Sequence, residues 1–221
     1  FSKKTKYFQA TTTDIINFKF TANQKITNLN IKNAYECSKI FSNLLTEFYK
    51  KNFKLNCCNG FLSAHESILR GENFVIKKII KNLCQIKKKG QGILKLGNID
   101  INRSWGSAEE YVFIIWKNLQ KKKLENFVIG SKQNLTIRKI LNFLLDELKL
   151  KHKWIGKNYS KKIINSNNKM IIMKIDKSLI RKNENQKYSY RKIKIKKYRS
   201  NKAFFLLLRQ MLKYELKNND V

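Results

Sequence analysis

The chain has 221 residues, a formal net charge of +33 and 42% hydrophobic residues, enough apolar content to bury a core and so to exclude a disordered polycation. Its four Cys (Cys37, Cys57, Cys58, Cys84) form no Cys-x-x-Cys pair, and its two His (His65, His152) complete no ligand spacing, so no zinc site is expected. No apolar run reaches the roughly 18 residues of a membrane span.

In chain order, residues 6–13 read as a strand ending in a polar turn, and 21–30 as a loop. Residues 33–51 carry Ala34, Ile40, Phe41, Leu44, Leu45 and Phe48 at helical spacing. Residues 53–58 read as a short strand broken by Asn59-Gly60. A second amphipathic helix covers 74–86, a glycine turn 90–92 and a strand 93–96. A helix at 107–119 takes Ser107 as its N-cap, and one at 135–148 takes Asn134. Between them lies a strand at 126–129, and short strands follow around Trp154 and at 170–175. The Lys/Asn-rich stretch 157–200 otherwise reads largely as loop, and 203–216 as a last helix. Alternating strands and helices predict an α/β fold with a parallel sheet and crossover helices.

The charge has an unusual make-up. Of the 48 basic residues, 41 are Lys and seven are Arg. Proline is absent, where average usage of roughly 5% would give about eleven. Base and phosphate readers favour the planar fork of Arg, so this bias argues against selected nucleic-acid recognition and for Lys accumulating on the surface through AT-rich codons. A Lys-rich polyanion or RNA binder stays open as the second reading, centred on residues 157–200. Free thiols fit a reducing compartment, so a cytoplasmic location is expected. The chain opens with Phe1 rather than Met, and its first residues need not start a domain.

Two runs carry chemistry. Thr11-Thr12-Thr13-Asp14 ends the first strand, and Tyr35-Glu36-Cys37-Ser38-Lys39 opens the first helix. Tyr35 and Lys39 lie one turn apart and share a face. An ammonium beside a phenol favours phenolate, which makes Tyr35 a base for a sugar hydroxyl. Taken alone, the same residues also read as a solvated i,i+4 pair and an ordinary polar turn.

A longer series of runs has a recognisable order. Phe8-Gln9-Ala10-Thr11-Thr12-Thr13-Asp14 and Ala34-Tyr35-Glu36-Cys37-Ser38-Lys39 are followed by Cys58-Asn59-Gly60. Then comes His65-Glu66-Ser67-Ile68-Leu69-Arg70-Gly71-Glu72-Asn73-Phe74-Val75. Leu96-Gly97-Asn98-Ile99-Asp100, Arg103-Ser104-Trp105-Gly106 and Glu125-Asn126-Phe127-Val128-Ile129 complete the series. Together they resemble the GDP-mannose 4,6-dehydratases of the extended short-chain dehydrogenase/reductases. The long run from His65 to Val75 is the most specific part.

The resemblance implies the C-terminal part of a Rossmann-like doubly wound parallel sheet with a small α/β substrate-binding domain. It places the remainder of the NADP-binding domain at about 1–90 and the sugar-nucleotide domain mainly at 91–221, interleaved. It implies a lyase that takes GDP-mannose to the 4-keto-6-deoxy sugar nucleotide with NADP. Thr12, Asp14, Tyr35 and Lys39 are the implied catalytic residues. Tyr35, Lys39, His65 and Arg70 are implied at the cofactor, and Glu66, Arg103 and Arg181 at the substrate, with no metal. A homo-oligomer is implied where the fold is complete. Several residues depart from the family: Asp14 stands for Glu, Ala64 for Asn, Ser104 for Asp and Ser107 for His. The family's first strands and Gly-rich turn match nothing in these residues, so dehydratase activity of this chain alone is not expected.

Overall fold

The computed structural model describes residues 4–15, 33–131, 134–180, 196–200 and 203–218. The expected loop at 21–30 and Arg181 lie outside them. The elements run β1 (Tyr7–Thr12), α1 (Ala34–Asn52), β2 (Cys57–Leu62), β3 (Ala64–Glu66), α2 (Val75–Lys89), β4 (Leu94–Leu96), β5 (Asn102–Ser107) and α3 (Ala108–Leu119). Then follow β6 (Phe127–Ser131), β7 (Asn134–Thr136), α4 (Ile137–Glu147), β8 (His152–Ile155), β9 (Lys162–Asn165), β10 (Ile171–Ile175), β11 (Lys196–Ser200) and α5 (Ala203–Asn218). They divide into two compact units.

The first unit comprises Phe1–His65, Ser104–Lys132 and Gln186–Asn201. Its sheet has the order β1-β2-β6-β11, with every pairing parallel. Parallel neighbours require a crossover, and α1 supplies the one from β1 to β2. Asn33 starts α1 by accepting the Glu36 N–H at 2.9 Å through its side chain.

The two faces of β2 alternate, as the pleat demands. One face meets α1 through a polar knot: Glu47 Oε1 accepts from Asn59 Nδ2 at 3.0 Å and from Asn126 Nδ2 at 2.7 Å. The other face packs Cys58 with Phe127, Ile129, Leu124 and Tyr111 of α3.

Asn59-Gly60 corrects the expected strand break, because β2 runs straight through it. A Cβ on Gly60 would stand 2.3 Å from the Phe8 ring and 3.1 Å from Phe127. Glycine is there to let two aromatic rings approach the sheet, which stack at 5.6 Å, and not to turn the chain.

The second unit comprises Glu66–Arg103, Gln133–Asn185 and Lys202–Val221. Its sheet has the order β4-β10-β9-β8, parallel between β4 and β10 and antiparallel elsewhere. The helices bury apolar stripes at helical spacing: Ile76, Ile79, Ile80 and Leu83 on α2, Ile140, Leu141, Leu144 and Leu145 on α4, and Leu207, Leu208, Met211 and Leu212 on α5. Gly90 ends α2 at φ 66°, donating its N–H to Ile86 O at 3.0 Å.

Two expectations are corrected here. Asn134 does not cap α4. It lies in β7, and Thr136 caps the helix by accepting the Lys139 N–H at 3.2 Å. Within the stretch expected as largely loop, β9 joins β10 in the sheet, held by buried Ile163, Ile172 and Met173 between Lys and Asn neighbours, while residues 181–195 lie outside the described residues. Ser107 does precede α3, but its side chain makes no capping bond.

Candidate active site

Four of the expected site residues gather at the C-terminal end of β1 in the first unit. The strand delivers buried Thr11 and Thr12, and a short 3-10 turn over Thr13–Ile15 follows. The Asp14 N–H donates to Thr12 Oγ1 at 3.2 Å, so the Thr12 hydroxyl proton remains to donate elsewhere. On α1, Lys39 Nζ reaches across to Ala10 O at 3.1 Å. That bond is long-range in sequence and fixes the helix against the strand end. The same ammonium stands 5.6 Å from the centroid of the Tyr35 ring. Tyr35 is 54% exposed. Thr11 Oγ1 is buried without a hydrogen-bond partner among the described residues.

His65 belongs to the same unit. Its Nδ1 lies 2.9 Å from Ser63 O, and a carbonyl only accepts, so Nδ1 carries the proton and Nε2 is the acceptor in the neutral ring. Its ring stands 5.0 Å from Tyr111. Beside it runs a buried hydroxyl chain that no sequence pattern announced. Tyr111 OH meets Ser63 Oγ at 2.6 Å, Ser63 Oγ meets Ser104 Oγ at 3.1 Å, and Ser104 Oγ accepts the Ser131 N–H at 2.6 Å. Ser104 thus serves a part-buried backbone N–H with a neutral hydroxyl.

The remaining expected residues belong to the second unit. Glu66 is 2% exposed and stands 3.3 Å from Arg70 Nε, without the alignment of a hydrogen bond. Burial pushes its carboxyl up to about 7, against the pull of the Arg70 guanidinium. Arg70 lies flat on Phe74, its guanidinium carbon 3.3 Å from the ring centroid. Arg103 is half-buried on β5.

The family model described as GDP-mannose 4,6 dehydratase matches residues 2–211. The chain belongs to the GDP-mannose 4,6-dehydratase family. It is 31% identical over 164 residues to the GDP-mannose 4,6-dehydratase of Vibrio cholerae serotype O1, covering 74% of this chain and 44% of that one. It is 35% identical over 137 residues to GDP-mannose 4,6 dehydratase 1 of Arabidopsis thaliana, covering 62% and 38%. The chain thus spans about half or less of the length of the curated relatives it matches. Among solved structures, RMD from Pseudomonas aeruginosa complexed with NADPH superimposes with a TM-score of 0.66 at 14% identity, over 96% of this chain and 66% of that one. The dTDP-glucose 4,6-dehydratase of Bacillus anthracis in complex with NAD gives 0.61 at 15% identity, over 96% and 62%. These likenesses show the fold, a Rossmann-like α/β arrangement with a parallel sheet.

Among the described residues, no group of His, Cys, Asp and Glu stands close enough to hold a metal ion, and no helix is long and apolar enough to cross a membrane. The buried thiols are poor nucleophiles, since burial pushes Cys58 up to about 11 and Cys84 to about 12.

Proposed function

We propose that this chain carries the sugar-reacting part of a GDP-mannose 4,6-dehydratase that works with NADP. The observation that carries the reading is the Lys39–Ala10 bond, which brings the Tyr35-x-x-x-Lys39 face to the strand end bearing Thr12 and Asp14. In this reading the first unit, with His65, belongs to the cofactor domain, Arg70 of the second unit also serves the cofactor, and Glu66, Arg103 and Arg181 serve the sugar nucleotide.

The residues present fit one half of a nicotinamide dinucleotide. The Tyr35 phenol, the Lys39 ammonium and the Nε2 acceptor of His65 suit the nicotinamide ribose and its neighbour. No Gly-x-Gly-x-x-Gly turn for the pyrophosphate occurs in these residues. When bound, NADP supplies the acceptor and donor of hydride. The protein's part is proton handling. Tyr35 takes the proton of the sugar 4-hydroxyl while Thr12 donates a hydrogen bond to the same oxygen. Asp14 takes the proton from carbon 5 and returns one to the departing 6-hydroxyl, which leaves as water, and the proton held by Tyr35 goes back to carbon 5 as carbon 6 is reduced. Asp is one methylene shorter than the family's Glu, and a 1 Å shortfall can cost about a hundredfold in rate.

The whole protein is expected to act on GDP-mannose in the cytoplasm as a homo-oligomer. The test is GDP-mannose turnover with NADP by the longest reading frame containing these residues. The expected product is the 4-keto-6-deoxy sugar nucleotide, with turnover lost in Tyr35→Phe. A frame that includes a Gly-rich cofactor turn, binds NADP and leaves GDP-mannose unchanged overturns the proposal.

A further inference from the structure

In the first unit the helices run against the strands they precede, so helix C-termini and strand N-termini meet at one end of the sheet. Asn56 gathers that end. Its carbonyl accepts the Tyr7 N–H at 3.1 Å, its amide donates to Lys122 O at 2.9 Å, and its Oδ1 accepts the Leu124 N–H at 3.0 Å. Lys50 Nζ adds a bond to Leu124 O at 3.0 Å. Three chain segments far apart in sequence are thereby held side by side.

Each segment brings exposed lysines: Lys4 and Lys6 before β1, Lys51 and Lys54 at the end of α1, Lys122 and Lys123 after α3. Glu125 is the exposed carboxylate beside them among the described residues. The opposite end of the sheet presents Thr12, Asp14 and Lys39 instead. Lysine after a helix offsets the negative end of its dipole, which accounts for Lys51. It does not account for Lys4 and Lys6, which precede a strand, nor for the aromatic rings exposed among the charges. Phe53 is 58% exposed, Tyr49 43% and Tyr7 53%. Tyr49 and Phe53 stand 5.3 Å apart, centroid to centroid.

We propose that this basic, aromatic end of the first unit binds single-stranded nucleic acid without sequence preference. The lysines meet the phosphates, and Tyr49 and Phe53 stack on bases. Charge complementarity selects a polyanion, and exposed rings within the charge select one that carries planar groups. Lysine in place of arginine supplies point charges without the bidentate fork that reads base edges, so recognition is general. The surface lies at the sheet end opposite Thr12 and Asp14, and the proposal does not rest on the dehydratase reading.

The test titrates the full 221-residue chain into labelled oligo-dT and oligo-U of about 15 nucleotides, by fluorescence anisotropy across a salt series. Binding is expected to weaken linearly in log–log form with salt. The Lys122→Glu, Lys123→Glu pair should lower the slope by about 1.4, at roughly 0.7 per phosphate contact on a single strand. The Tyr49→Ser, Phe53→Ser pair should weaken binding roughly tenfold or more with the slope unchanged, while Tyr49→Phe with Phe53→Tyr keeps it. Reversal of Lys87 and Lys89 in the second unit should leave binding as it was. Equal losses from that control overturn the proposal, as does heparin bound as tightly and indifferent to the ring variants. Capture of phosphatidylserine vesicles without oligonucleotide binding overturns it too. Circular dichroism of each variant separates a lost surface from a lost fold.

Discussion

Lys77 of α2 and Glu215 of α5 meet at 2.7 Å, with side chains 9% and 10% exposed. The pair crosses the helical layer of the second unit, among Ile76, Ile80 and Leu212. Two buried charges gain little over an apolar pair of the same shape, but one left alone is costly. Lys77→Met is therefore expected to destabilise the chain by about 3–5 kcal/mol, and the double variant Lys77→Met, Glu215→Leu by far less. Urea unfolding midpoints check this. Equal midpoints for the single and double variants would show that the pair is not desolvated.

Glu66 gives the second unit a pH dependence of stability. Its carboxyl stands at about 7 in the folded chain, against 4.5 for the unconstrained group. A raised carboxyl holds its proton better folded than unfolded, so its favourable contribution is complete below 4.5 and is lost as pH rises through about 7. The loss is on the order of 3 kcal/mol, at about 1.4 per unit. Glu66→Gln is expected to flatten the urea midpoint against pH between 4.5 and about 7, the interval between these two values. A wild-type midpoint that rises over the same interval would contradict the assignment.

Gly60 sits under Phe8, and its missing Cβ is the space the ring occupies. Gly60→Ala is expected to cost about 1–3 kcal/mol by overpacking. Phe8→Leu in the same chain should recover part of that loss, because the two sites share one volume and their effects do not add. Thermal unfolding of the two single variants and the double variant measures the coupling. Strict additivity would mean that the ring moves aside without strain.

Much of this fold was legible because its signals are local. The stripe on α2 and the glycine turn at Gly90 each depend on residues within a few positions of one another. Asn59-Gly60 misled because its meaning lies in Phe8 and Phe127, distant in sequence and adjacent in the sheet. β9 was missed because Ile163 and Ile164 are too few to stand out among Lys and Asn without their partners on β8 and β10. At the candidate site, Tyr35 and Lys39 announce themselves through helical spacing. The chain of Ser63, Ser104 and Tyr111 does not, since three hydroxyls on three elements share no sequence pattern.

Lys39 joins what was legible to what was not. Spacing places it beside Tyr35, while only the fold shows its ammonium on Ala10 O at 3.1 Å. The bond holds the first turns of α1 against the strand that ends in Thr12, so the lysine positions the strand end as well as the phenol. Lys39→Met keeps the aliphatic stem and removes the donor. A charged hydrogen bond of this kind contributes about 1.5–3 kcal/mol, and the half-buried carbonyl is left without it. The expected outcome is a lower urea midpoint together with faster amide exchange at Thr11–Asp14, while the second-unit helices exchange as before. Lys39→Arg should restore the midpoint if charge and reach are what matter. Slow exchange at Thr11–Asp14 in Lys39→Met would show that β1 is held by its pairing with β2 alone, and would remove Lys39 from the account of how the site is built.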